Sequence, residues 1–100
     1  MREHNTKSNG ERFDEETIEL VWKKASPVMN AVIGTDACGA PIHKDKHGKR
    51  EPNGWEIDHI KPVAAGGTDD LSNLQPLQWE NNRGKGDESP DWKHTCKIRY

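Results

Sequence analysis

The chain has 100 residues, 30% hydrophobic and 32% charged, with a formal net charge of −2 and four tryptophans. That fits a single small domain with a thin core, in which each large tryptophan matters. No apolar run is long enough to cross a bilayer and no apolar signal core opens the chain, so a membrane protein is excluded and a cytoplasmic one, with Cys38 and Cys96 reduced, is expected.

Residues 1–12 are polar and aperiodic and read as a disordered lead-in, leaving 13–100 as one domain. A helix follows. Asp14 can cap it, Glu15 and Glu16 suit the positive end of its dipole, and Phe13 can staple onto Ile18. Ile18, Val21, Trp22 and Ala25 form one apolar stripe at helical spacing, and Pro27 ends the pattern. The ordinary role of such a helix is to cover a core. Between 28 and 53, Val32-Ile33 and Ala40-Pro41-Ile42 read as short extended pieces, and Pro52-Asn53-Gly54 as a turn. Trp55 to Ile60 then reads as a strand, Lys61 to Ser72 as a loop with the Gly66-Gly67 pair, and Asn73 to Gln78 as a second strand. Trp79 to Lys85 reads as a short helix stopped by Gly86. Residues 54–87 thus make a compact strand-loop-strand-helix unit. The tail, with Pro90 and Trp92, predicts no clear element.

Four polar residues stand out in that unit: Asp58, His59, Asn73 and Asn82. Cutting a phosphodiester requires a group that takes a proton from water and a cation that stabilises the departing oxygen. A histidine titrates near neutral pH and suits the first task. Successive side chains of a strand diverge, so an Asp-His pair at a strand end can aim a carboxylate at a metal and an imidazole at water. A lone histidine is usually structural or exposed, and His4, His43, His47 and His94 are read that way.

The ordered set Asp58-His59-Ile60-Lys61-Pro62, Gly66-Gly67, Leu71-Ser72-Asn73-Leu74-Gln75-Pro76-Leu77 and Asn82-Arg83-Gly84-Lys85-Gly86-Asp87 resembles the HNH nuclease family. The resemblance covers about a third of the chain. It implies an α+β fold: a ββα-metal core with the N-terminal helix packed on it. It also implies DNA phosphodiester hydrolysis, leaving 5′-phosphate and 3′-hydroxyl ends. Asp58 and Asn82 would hold one divalent metal, and His59 would be the general base. Asn73 would orient the His59 imidazole through its backbone carbonyl while its side chain pins the loop. Asn82 stands where the family has its last histidine, an HNN variant. Its oxygen suits Mg²⁺ or Mn²⁺, although Zn²⁺ or Ni²⁺ can occupy such a site. Many members also carry two Cys-x-x-Cys pairs around a structural zinc. Here Cys38 faces Pro41 in the first pair, and Gln78 and Asn81 replace the second, so no separate structural zinc is expected.

For DNA contact, Lys85 is the preferred cation because it lies one turn from Asn82, with Arg83 beside it; both are also simply cations at a helix C-terminus. Lys44, Lys46, Lys49 and Arg50 read equally as a backbone track or a solvated loop. Glu56 reads as a surface or supporting carboxylate, and Trp55 and Trp79 as core. With no separate recognition domain, low sequence specificity and nicking are expected, the oligomeric state being open. Two rivals remain at this stage: a nucleic-acid-binding module that does not cut, which the net acidity favours, and a phage DNA-processing subunit that works with a partner.

Overall fold

The computed structural model describes residues 2–29, 31–88 and 91–99. Helix α1 (Glu15–Trp22) starts at its expected cap. The Asp14 carboxylate accepts from the Thr17 backbone N–H at 2.8 Å, with Glu15 and Glu16 in the first turn. Three short strands follow, β1 (Ser26–Met29), β2 (Ile33–Thr35) and β3 (Pro41–His43), forming an antiparallel sheet in that order. The extended pieces expected near 32–33 and 40–42 are β2 and β3. Strand β1 is the surprise, because Pro27 lies inside it. It is an edge strand, where a missing N–H is tolerated.

The second sheet pairs β4 (Trp55–His59) with β5 (Leu74–Gln78), antiparallel, placing Asp58 opposite Gln75 and His59 opposite Leu74. Helix α2 (Trp79–Lys85) leaves β5 with no connecting loop. Gln78 makes this possible: it closes the strand, and its side-chain oxygen accepts from the N–H groups of Glu80 (2.8 Å) and Asn81 (3.1 Å). Pro76 sits opposite Ile57, whose N–H is accepted by the Asn5 side chain at 2.7 Å. The N–H groups of that pair point away from the ladder, so proline costs no ladder bond. This is the ββα unit expected over 54–87.

Every residue of β4 is buried. Trp55 and Ile57 join Phe13, Val21, Trp22, Ala25, Ile42 and Leu74 in the apolar core, with the Trp22 and Trp55 ring centroids 5.4 Å apart. Glu56 and Asp58 face α2, where Asn82, Arg83 and Lys85 meet them. A thin apolar core is thereby extended by a buried polar layer. Such a layer is stable only when paired, since an unpaired buried polar group costs about 1–3 kcal/mol. Among the described residues no buried side-chain polar atom lacks a partner.

Two expectations are corrected. Residues 2–12 are not a loose lead-in. Asn5 holds Ile57 and lies 3.1 Å from His47 Nε2, Thr6 bridges to Arg12, and Ser8 donates to Asp69. The segment covers the outer edge of β4, and hydrogen bonds to a strand edge leave no periodic trace in a sequence. Cys38 and Cys96 are not free thiols. They form a disulfide with Cα atoms 5.9 Å apart, an ordinary span, tying the turn before β3 to the C-terminal tail. With a sequence separation of 58, nothing local announces the pair. Among the described residues, no helix is long and apolar enough to cross a membrane.

Candidate active site

Asp58 and His59 end β4, and Asn82 lies in the first turn of α2. All three line one pocket of about 410 Å³, together with Pro62 and Val63 from the loop and Arg2 and His4 from the N-terminal segment. Each polar side chain is held by a defined partner.

Asn82 Nδ2 donates to Glu56 Oε1 at 2.9 Å. A carboxylate only accepts, so this bond turns the amide and leaves Oδ1 directed away from Glu56. Glu56 is in turn clamped by Arg83, with Nε at 3.3 Å and Nη2 at 3.0 Å. Glu56 is therefore a buried supporting residue, not a surface one.

The Asp58 carboxylate accepts from Gln75 Nε2 at 2.9 Å and lies 3.3 Å from Lys85 Nζ. Burial pushes its pKa up, against the opposing pull of Gln75 and Lys85. Lys85 also donates to the His59 backbone oxygen at 2.9 Å and is 1% exposed. Its expected role as a DNA contact is corrected on that ground: it has no surface to offer a phosphate.

His59 Nε2 lies 2.7 Å from Asp69 Oδ1. Asp69 is fixed by the Ser8 N–H (2.9 Å) and hydroxyl (2.7 Å). Burial works to raise the Asp69 pKa, but the hydrogen bonds from His59 and Ser8 outweigh it and hold the carboxyl below its usual range. The role expected for Asn73 is half corrected. Its backbone oxygen accepts from the Ile60 N–H at 2.8 Å, and Asp69 is what orients the imidazole. The Asn73 side chain does pin the loop, accepting from the Lys61 N–H (2.8 Å) and donating to the oxygens of Lys61 (3.1 Å) and Thr68 (2.8 Å). The same loop needs its glycines. Gly66 has φ 93°, and a Cβ on Gly67 would stand 1.7 Å from the Lys61 carbonyl oxygen.

Of the remaining expected cations, Lys44 pairs with Glu19 and Lys46 with Glu51, Lys49 is exposed, and Arg50 lines a neighbouring groove with Arg83. Trp55 is fully buried, whereas Trp79 is only half-buried and carries Arg83 5.8 Å from its ring centroid. Sequence reasoning missed Asp69, Asn5 and His4. Asp69 had one usable signal, an acid in the loop that returns to β5 beside His59.

A two-stranded hairpin closed by a helix, with an Asp-His pair at the strand end and an amide from the helix at the same pocket, defines a ββα-metal finger. The family model for HNH endonuclease matches residues 36–88, just over half of the chain, and the chain belongs to that family. The family is one of nucleases, and a divalent metal is typical of it. Comparison with curated proteins and with solved structures gives no match.

The donor set fits a hard cation. Asp58 offers an anionic oxygen, and Asn82 offers an amide oxygen already turned from Glu56. Among the described residues no group of three or more His, Cys, Asp or Glu side chains gathers to hold a metal. A cation here would therefore keep much of its shell as water and phosphate oxygen, as Mg²⁺ does.

Proposed function

We propose that this protein is a metal-dependent DNA endonuclease that nicks one strand per event with low sequence specificity. The observation that carries the reading is the meeting of Asp58, His59 and Asn82 at one pocket, with His59 braced by Asp69 and Asn82 by Glu56. Asp58 and Asn82 would hold one Mg²⁺ or Mn²⁺, which when bound supplies Lewis acidity toward the scissile phosphate and its leaving oxygen. The protein's own groups handle the proton. Asp69 engages Nε2, so the favoured tautomer keeps the proton there and leaves Nδ1 to take one from the attacking water. The Asp69 carboxylate then stabilises the imidazolium that forms. Lys85 holds the turn at the end of β4 through the His59 carbonyl, and Asn73 holds the loop through Lys61 and Thr68. As the water oxygen bonds to phosphorus the P–O3′ bond breaks, and the leaving oxygen takes a proton from solvent, giving a 5′-phosphate and a 3′-hydroxyl. A single finger presents a single base, so one chain cuts one strand.

Conversion of supercoiled plasmid to open circles, with Mg²⁺ or Mn²⁺ present, tests this. EDTA should abolish nicking, and His59→Ala should slow it by about 10²- to 10⁴-fold. Nicking by His59→Ala at the wild-type rate would remove His59 as the base.

A further inference from the structure

Beside the pocket lies a second groove of about 720 Å³ that shares Arg2, Glu3, His4 and Asn5 with it. Five segments distant in sequence converge on this groove: the N-terminal residues 2–6, Arg12 with the start of α1, the turn at His47 to Arg50, Glu56 of β4, and Arg83 of α2. The chain has five arginines and ten lysines. Four of those arginines, Arg2, Arg12, Arg50 and Arg83, line the groove, and no lysine does. In a protein of net charge −2, that partition concentrates one kind of cation in one place. Arginine presents a planar fork of donors that matches phosphate oxygens two at a time, and it sheds water more readily than lysine.

Most of the groove's arginines are also free of salt bridges among the described residues. Arg83 has Glu56. Arg2, Arg12 and Arg50 have no carboxylate within ion-pair distance among the described residues, although Arg2 donates to the Thr6 backbone oxygen at 3.0 Å. Glu3, Glu15 and Glu56 also line the groove, three acids against four arginines, so its charge excess is small and its donors are what distinguish it.

The geometry points to this groove as the seat of the nucleic-acid backbone flanking the phosphate at the pocket. The inference rests on the nuclease reading for which strand is held, and it makes residues 2–12 half of the DNA-binding surface. Phosphates set on Arg12 and Arg50 would continue past Arg2 and His4 to Asp58 and Asn82. The expected cations Lys44 and Lys46 lie outside this track.

Binding of a fluorescent duplex, measured by polarisation in EDTA with His59→Ala as the uncut background, reads the groove without cleavage. Adding Arg12→Gln and Arg50→Gln should weaken binding roughly tenfold or more at low salt and flatten the slope of log affinity against log salt by about two. Both arginines are exposed, and circular dichroism checks that the fold stands. Lys23→Gln with Lys93→Gln removes the same charge from exposed positions outside the groove and should change affinity by less than about twofold. Equal weakening by both pairs, or an unchanged salt slope in the arginine pair, would overturn the assignment. Duplex binding through the arginines without plasmid nicking by wild type would remove the nuclease reading and leave the groove standing. Wild-type nicking efficiency in a His59-containing Arg12→Gln, Arg50→Gln protein would do the reverse.

Discussion

Consider replacing Lys85 by methionine. The ammonium lies 3.3 Å from Asp58 Oδ1, donates to the His59 carbonyl at 2.9 Å, and sits 5.8 Å from the Trp92 ring centroid, in a side chain 1% exposed. Methionine keeps the length and the apolar stem and removes the charge and its three donors. What remains is a buried carboxylate with Gln75 as its partner and a carbonyl without a donor. Breaking a buried ion pair from one side costs about 3–5 kcal/mol, and the orphaned carbonyl adds about 1 kcal/mol. Domains are stable by about 5–15 kcal/mol in all. At about 4–8 °C per kcal/mol for a domain of this size, the midpoint of thermal unfolding should fall by at least about 16 °C. Asp58 would respond by holding its proton, so its pKa in the folded state rises further above the unfolded value. A carboxyl raised in that way favours the folded state below the unfolded pKa and loses that advantage as pH rises through the folded one. The handicap of Lys85→Met should therefore be smallest in acid and grow toward neutral pH. Mn²⁺ should stabilise the variant more than the wild type, because a cation at Asp58 replaces the missing charge. Urea and thermal unfolding followed by tryptophan fluorescence measure all three effects. A Lys85→Met protein that melts with wild type but loses DNA affinity would refute the buried-pair argument and return Lys85 to the nucleic-acid surface.

Three further outcomes follow from the same geometry. Asp69→Asn should shift the His59 tautomer in ¹⁵N NMR spectra and lower the nicking rate by roughly 10²-fold or more, because an amide no longer selects the Nε2–H form; an unchanged imidazole spectrum would dismiss Asp69 as the orienting group. Cys38→Ala with Cys96→Ala should cost about 4 kcal/mol in urea unfolding, the chain-entropy value for a loop closed across a separation of 58 residues; equal stability would mean that the bridge does not form in solution. Because burial raises the Asp58 pKa and only the ionised form binds a cation, Mn²⁺ affinity measured by electron paramagnetic resonance should decline with falling pH from above the usual aspartate range. A midpoint within or below that range would show that Gln75 and Lys85 outweigh burial.

The elements that the sequence announces are those whose signals are local. Asp14 with Glu15 and Glu16 marks the start of α1, and Gly86 marks the end of α2. The Asp58-His59 pair and Asn82 could be placed because the order and spacing of the unit carry them. Contacts that join distant segments had no such signal. Strand β4 reads as one apolar face and one polar face, and a polar face is ordinarily solvent-exposed; here α2 covers it. That reverses the meaning of Lys85. It does share a helix face with Asn82, as spacing predicts, but the face looks inward at Asp58. Asn5 and Ser8 carried no signal, and Asp69 only its place in the loop beside His59, for the opposite reason. Each acts through one or two hydrogen bonds from an aperiodic segment, and such bonds depend on where the chain returns in space.

The corner where many HNH proteins carry a zinc shows how this chain solves the same mechanical problem. Asp36 accepts from the Cys38 and Ala40 N–H groups through Oδ1, both at 2.9 Å, and from the Gln78 N–H (2.8 Å) and Asn81 Nδ2 (3.1 Å) through Oδ2. Asn81 Oδ1 in turn accepts from the Lys97 and Ile98 N–H groups at 2.8 and 2.7 Å. Two buried side chains thus join the turn before β3, the start of α2 and the C-terminal tail, and the Cys38–Cys96 bridge closes the same circuit covalently. Asn82 follows Asn81 directly, so its approach to the pocket is set by this knot on one side and by Glu56 on the other. The proposed catalytic cation then has no structural duty at the corner. Bound at the pocket, it would meet the Asp58 and Asn82 oxygens in positions already determined by bonds that do not involve it.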